Sequence, residues 1–254
     1  RHGRGVGPLF YRGLMFVQGL GSLRAVNAYN GRTVWERPLT DVMKAYDQEH
    51  LVGAAATGGN ICLEDGRLYV RSPGRLTDGD FSGKSCLVLD CATGEQLDEY
   101  RIPGAEQGDD YWGYLAVEDG ILYGSVADPG HVLEYSYRES DMTRLFSESK
   151  RLFALDAGSG ELKWDYTAQN SIRHNAIAIG GGKLYLIDRA VAVSDAIRRN
   201  PHRAGKGEAQ NPVQPPGLLV ALDASSGKEL WRNSDKIFGT MLALSVKHDV
   251  LLMS

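Results

Sequence analysis

Two short strings in this sequence could do chemistry. Asp109-Asp110-Tyr111-Trp112 sets two carboxylates beside two aromatic rings, and Arg173-His174-Asn175 sets a guanidinium beside an imidazole and an amide. Arginine offers a planar fork for carboxylate or phosphate, and histidine works as acid, base or metal ligand near neutral pH. Asp109 and Asp110 are the pair suited to a hard cation such as calcium. The rings of Tyr111 and Trp112 suit a stacked planar or cationic group. Together they predict a site for an anionic or aromatic ligand, touched by Tyr111, Trp112, Arg173, His174 and Asn175, with Asp109 and Asp110 as metal ligands. The competing reading is structural, in which these charges pair with each other and cap strand ends.

Other candidates carry less chemistry. Arg189, Arg198, Arg199, Arg203 and Lys206 form a basic stretch, but Asp188, Asp195 and Glu208 dilute it and four prolines between 201 and 216 stiffen it. It reads as a solvated loop. His131 and Glu134 have no metal-ligand partner at a readable spacing. Gly180-Gly181-Gly182-Lys183 lacks the hydroxyl residue and the earlier glycine of a phosphate loop. Cys62, Cys86 and Cys91 are an odd, sparse set without a CxxC spacing, so they read as buried thiols on strands. No HExxH or GxSxG motif occurs, and the catalytic residues of any reaction stay unknown at this level.

The elements that must position the two strings are set by repetition. The chain has 254 residues, 43% apolar and 24% charged, with 31 glycines and 12 tyrosines against 6 phenylalanines. That is globular composition rich in turns. A net charge of −4 provides no chain-wide basic field, which argues against general nucleic-acid binding, and no apolar run is long enough for a membrane helix. One phrase recurs four times, ending at Trp35, Asp98, Trp164 and Trp231, with its glycines Gly31, Gly94, Gly160 and Gly227 spaced 63, 66 and 67 residues apart. Alternating apolar residues make a half-buried strand, Asp or Asn and small residues lead to a glycine turn, and a second strand ends on tryptophan. Trp35, Trp164 and Trp231 are expected to be buried between neighbouring units, and Asp98 predicts a weaker seam at the second. A second phrase precedes each copy, as in Glu118-Asp119-Gly120-Ile121-Leu122-Tyr123, where Asp-Gly between apolar runs is a strong hairpin signal. Each unit is therefore four antiparallel strands, A to D, and serial four-stranded units mean a β-propeller.

The phrase Ala-x-Asp-x-x-x-Gly-x-x-x-Trp resembles the tryptophan-docking motif of the PQQ-like propeller repeat family. Ala154/Asp156/Gly160/Trp164 and Ala221/Asp223/Gly227/Trp231 fit it fully. Ala25/Asn27/Gly31/Trp35 has Asn for Asp, and Val88/Asp90/Gly94/Asp98 lacks two positions. The resemblance implies an all-β chain, 1–254, of four-stranded antiparallel blades: approximately 6–37, 52–102, 112–168 and 174–233, with a fifth begun at 240–254. It implies that this is part of a seven- or eight-bladed propeller in a longer protein. The family holds quinoprotein alcohol and sugar dehydrogenases and outer-membrane assembly scaffold lipoproteins, so pyrroloquinoline quinone and calcium are the cofactors it allows. A bacterial, periplasmic or otherwise extracytoplasmic setting comes with it. The chain has no Cys-Cys pair of the kind such dehydrogenases carry against the quinone.

Strand direction alternates, so A–B and C–D turns lie on one face and B–C and D–A connections on the other. The long segments 71–85, 126–150 and 189–216 are all B–C, and the D–A stretches 38–57, 102–112 and 167–174 exceed a turn. All elaboration falls on one face, where binding usually sits on a rigid scaffold. The expected function is a non-catalytic scaffold binding a protein, peptide or glycan there, with the strand-A starts at Tyr111 and Arg173 converging on the channel mouth. The alternatives are a quinone-dependent dehydrogenase segment and a recruiting module fused to a catalytic domain.

Overall fold

A computed structural model describes residues 8–18, 22–38, 61–71, 85–105, 110–128, 132–135, 143–146, 148–191, 215–239 and 241–254. The first blade is β1 (Leu9–Tyr11), β2 (Leu14–Gln18), β3 (Ser22–Asn27) and β4 (Thr33–Pro38). The second is β5 (Ile61–Glu64), β6 (Arg67–Arg71), β7 (Ser85–Asp90) and β8 (Gln96–Arg101). Each is an antiparallel meander in chain order. The third blade runs through β9 (Trp112–Glu118), β10 (Ile121–Ala127), β13 (Glu148–Asp156) and the first half of β14 (Leu162–Gly180). Its B–C excursion carries a small hairpin, β11 (Val132–Tyr135) with β12 (Thr143–Phe146). The fourth blade takes the second half of β14, then β15 (Lys183–Arg189), β16 (Gly217–Asp223) and β17 (Glu229–Asn233). A last hairpin, β18 (Leu242–Ser245) and β19 (Val250–Met253), turns through a 3-10 segment at Val246–His248.

The stretch 167–174 is therefore strand, not connection. β14 is 19 residues long and pairs with β13 as far as Arg173 and with β15 from Ile172 onward, which joins blades three and four into one seven-stranded sheet. Its middle, Thr167 to His174, has no apolar alternation for a sequence pattern to reveal. Likewise strand C of the third blade begins at Glu148, within the segment 126–150 read as a loop.

The turns follow from local chemistry. The A–B turn Asp119-Gly120 has φ of 52° and 72°, and its three counterparts share the pair of positive values. That is the twist of a type I′ hairpin, for which Asp-Gly is suited. In the C–D turns an acidic or amide side chain caps the backbone. Asp156 accepts the N–H of Gly158 and Ser159 at 3.0 and 2.9 Å, and Asn27 does the same for Tyr29 and Asn30. Each C–D turn is tied to its A–B turn by one bond, as Ala157 N–H to Gly120 O at 2.9 Å.

These caps imply a pH response. Hydrogen bonds from Ser225 and Ser226 hold the Asp223 carboxyl down at about 2, and those from Ser159 and Gly158 lower that of Asp156. A folded-state pKa below the unfolded one contributes stability above the unfolded value, lost as pH falls through the folded one. The chain is expected to lose turn stability between about pH 4 and pH 2. Asp223→Asn, which keeps the cap but not the titration, should flatten that part of a denaturant-midpoint profile; an unchanged slope would rule the cap out as its source.

Four apolar cores fill the four seams between consecutive units. Phe16, Leu23 and Leu68 lie in the first, Tyr69, Trp112 and Phe153 in the second, Tyr123, Trp164 and Leu186 in the third, and Ile187, Ala221 and Leu242 in the fourth. At the first and third seams tryptophan lies over the next blade's turn glycine. A Cβ on Gly94 would come within 2.6 Å of the Trp35 ring, and one on Gly227 within 2.6 Å of Trp164. The indoles donate to Cys91 O at 2.9 Å and Ala224 O at 3.0 Å.

The second seam departs from the expectation of weakness. Asp98 does stand at the tryptophan position, but Tyr100, two residues on and on the same side of β8, covers Gly160, where a Cβ would come within 2.5 Å of its ring. Its hydroxyl lies 3.0 Å from Gly158 O and 3.2 Å from Ala157 O, and Tyr69 donates to Ala157 O at 2.9 Å. Tyr100 thus takes the tryptophan's place, and Tyr69 donates to the turn carbonyl as Tyr123 does to Ala224 O at the third seam. Tyr100→Phe, keeping the ring and losing the donor, is expected to cost about 1 kcal/mol in urea unfolding. A neutral result would mean that Tyr69 alone satisfies the carbonyl.

Trp231 also differs from expectation, at 42% exposed against 7% for Trp164. It packs on Tyr185, with ring centroids 5.9 Å apart. The unit beyond it among the described residues is the A–B type hairpin β18–β19, with no C–D turn to receive the indole. The first blade offers the converse: the Gly31 socket has nothing within 4 Å.

Candidate functional site

On the face opposite the tight turns, the ends of β10, β13 and β15 and the middle of β14 bring a buried polar group together. Glu148 and Arg173 are register partners, and their side chains pair at 2.7 Å with only 3% and 13% exposure. Ser171 Oγ donates to the other Glu148 oxygen at 2.9 Å. A second chain of contacts runs alongside. Tyr114 N–H donates to Ser125 Oγ at 2.7 Å, Ser125 Oγ meets Ser149 Oγ at 2.7 Å, and Ser149 Oγ meets His174 Nε2 at 2.7 Å. Ser125, Ser149 and His174 are buried. Gly113 makes this possible, since a Cβ there would lie 2.6 Å from all three polar atoms.

Around this core, Asp188 accepts the backbone N–H groups of Gln169 and Asn170 at 2.6 and 2.9 Å, which fixes the mid-point of β14. Asp128 pairs with Lys150 at 3.3 Å, and Arg71 donates to Trp112 O at 2.9 Å. Buried charges of this kind must be matched by hydrogen bonds, because removing one partner leaves an uncompensated charge.

The predicted residues divide. Gly113, next to Trp112, and His174 are neighbours, and Arg173 pairs instead with Glu148. Trp112 itself is 1% exposed and edge-on to Phe153 at 4.9 Å, so it offers no ring face to a ligand. His174 is likewise interior, at 2% exposure. Asp110, Tyr111 and Asn175 are half-buried and remain at the surface of this face; Tyr111 O accepts Ala127 N–H at 2.7 Å. Asp109, His131, Arg198, Arg199, Arg203 and Lys206 lie outside the described residues, and nothing of the Glu134 side chain is described.

Sequence reasoning missed Glu148, Ser125, Ser149, Ser171 and Asp188. Small hydroxyl residues carry no spacing signature, and Glu148 is found only once strand C is known to start there. The three thiols play no part: burial pushes those of Cys62, Cys86 and Cys91 well up, away from the reactive thiolate.

A quinone would need a flat apolar floor, and its calcium a group of carboxylates. The described residues do not form that seat. Trp112 is covered, the cysteines are not adjacent in sequence, and no three His, Cys, Asp or Glu among the described residues stand close enough to share a metal ion.

The meanders, their turns and the seams between them define a β-propeller. No protein-family model matches the sequence, and no curated protein matches it. Solved structures do. A quinohemoprotein alcohol dehydrogenase from Comamonas testosteroni is similar over 94% of this chain and 38% of its own, at 15% identity and a TM-score of 0.57. A second such enzyme, from Pseudomonas putida HK5, is similar over 96% of this chain and 37% of its own, at 14% identity and TM-score 0.54. The WD40 domain of Pan2 from Neurospora crassa matches over 92% of this chain and 53% of its own, at 12% identity and TM-score 0.50. The likeness is of fold, and the chain spans less than two fifths of either dehydrogenase. With the docking aromatics on their turn glycines, the fold shared with these structures is the β-propeller.

Proposed function

We propose that this chain is a non-catalytic propeller module, a rigid platform that binds a protein, peptide or glycan on its long-connection face. The observation that carries the reading is the division of labour between faces. The turns on one face are tight and repeat the same bonds. The connections from β6 to β7, β10 to β13 and β15 to β16, the longest in sequence, join strand ends at the other. A buried, hydrogen-bonded polar core suits positioning of a partner, since rigid scaffolds carry their recognition in loops. Asp110, Tyr111 and Asn175 are the contact residues in this reading, and Arg173 and His174 hold the surface in shape. The resemblance of the repeats to the PQQ-like family supports an extracytoplasmic setting, and the chain's span of less than two fifths of the two dehydrogenases supports a longer protein.

The test is a glycan and peptide array probed with the chain, followed by Tyr111→Ala and Asn175→Ala. Loss of captured ligand in these variants, with Tyr29→Ala on the tight-turn face unchanged, is the expected outcome. Ligand loss in Tyr29→Ala alone would move the site to the wrong face and end the proposal. A dehydrogenase segment is the second reading, resting on the fold likeness to the two alcohol dehydrogenases. Saturable quinone uptake in the presence of calcium, followed by absorbance, would favour it over the platform.

A further inference from the structure

The innermost strands of the last three units, β9, the second half of β14 and β18, converge on a groove of about 370 Å³. Its walls are Tyr114 and Glu118 from β9, Ile177 and Ile179 from β14, and Leu242 and Leu244 from β18. Ala116, Ala178 and Ala243 keep it open between them. The volume falls within the range of small-ligand sites, which are mostly apolar with a few placed polar groups.

Glu118 is the only charged side chain in that lining. Among the described residues its carboxylate has neither a hydrogen bond nor an ion pair. Its Oε1 stands 3.9 Å from the position a Gly180 Cβ would take, a point that also lies 2.9 Å from Leu244 and 2.7 Å from Val246. Partial burial raises its pKa, and the neighbouring carboxylates of Asp119 and Glu64 add to the rise. Glu64 already accepts Gly120 N–H at 2.7 Å. No lysine or arginine lines the groove to neutralise Glu118.

We propose that this groove binds a small organic cation with an apolar body, an aryl or alkyl ammonium, its charge set against Glu118 and its body against Ile177, Ile179, Leu242 and Leu244. An anion meets the Glu118 carboxylate with no lysine or arginine in the lining to offset it. A neutral apolar ligand leaves Glu118 desolvated and uncompensated, which is costly. A cation removes that cost, and the Tyr114 side chain adds to the wall that its body meets. The site adjoins the Asp119-Gly120 turn, at the opposite end of the strands from the long connections. It is independent of the platform reading.

Isothermal titration of the chain with benzyltrimethylammonium tests this. Saturable binding is expected, weakened about tenfold or more in Glu118→Gln, and phenylacetate, with the same ring and the opposite charge, is expected not to bind. Intermolecular NOEs from the benzyl protons to the Ile177 and Leu244 methyls should place the ligand in the unsubstituted chain, so the result does not depend on the variant folding. Absence of saturable binding, NOEs to another surface, or equal affinity in a folded Glu118→Gln variant would each overturn the proposal.

Discussion

Trp164→Ala is expected to destabilise the chain by about 3–5 kcal/mol, the cost of emptying a large aromatic site in a packed core. The indole is 7% exposed, covers Gly227, stacks near Tyr123 with centroids 6.0 Å apart, and donates to Ala224 O. Its loss opens a cavity at the seam between blades three and four and takes one of two donors from a buried carbonyl, the other being the Tyr123 hydroxyl at 3.3 Å. For a chain of this size that corresponds to a fall in melting temperature of roughly 10 °C. The informative control is the same substitution at the end of the series. Trp231 occupies the equivalent position but is 42% exposed, and no turn glycine among the described residues lies against it. Trp231→Ala is therefore expected to cost about 1 kcal/mol or less, as for a surface change. Chemical denaturation of both variants, followed by far-UV circular dichroism, compares them directly. Equal losses would show that tryptophan packs within its own blade and that docking on the next blade contributes nothing.

The contrast between these two tryptophans marks what a sequence can disclose. The turn chemistry is local. Asp119-Gly120 and Asp156 to Gly160 dictate their backbone from a few residues, so hairpins and their succession are legible, and with them the propeller. Which aromatic fills a seam is partly local. Trp35 and Trp164 sit at the repeated position, but Tyr100 reaches the same socket from two residues further along the strand, where an alignment of phrases looks past it. Exposure of Trp231 depends on what stands beside it, a fact outside its own phrase. The polar junction is the least legible part. Arg173 and His174 are conspicuous by type. Their partners Glu148, Ser149 and Ser125 come from other strands and are ordinary surface residues in composition. The polar middle of β14 resembles a loop because buried hydrogen bonds to Asp188, rather than apolar alternation, hold it extended. Of the residues that sequence marks as reactive, Trp112 and His174 are interior and Arg173 is paired with Glu148, while Asp110, Tyr111 and Asn175 are half-buried.

Gly113→Ala is the substitution that tests this reading of the junction most severely. Gly113 has no positive φ and no turn to make; its need for a bare Cα is one of space. A methyl group there would stand 2.6 Å from His174 Nε2, Ser125 Oγ and Ser149 Oγ together, closer than real Cβ atoms approach their neighbours. None of the three can swing away cheaply, because each is bonded to another and Ser125 also receives Tyr114 N–H. Either β9 moves out of register with β10 or the chain of hydrogen bonds breaks. Overpacking costs about 1–3 kcal/mol, and a buried polar group left unsatisfied adds about 1–3 kcal/mol more. The sum, about 2–6 kcal/mol, places this conservative change beside Trp164→Ala. The double variant Gly113→Ala with Ser149→Ala separates the two causes. If the relay is what the methyl group disrupts, removing Ser149 Oγ relieves part of the crowding, and the two costs combine to less than their sum. Additive costs would mean that the strain lies in the β9 backbone instead. A Gly113→Ala variant as stable as the parent would show that this junction yields freely, and would remove the rigid base on which the binding face is proposed to stand.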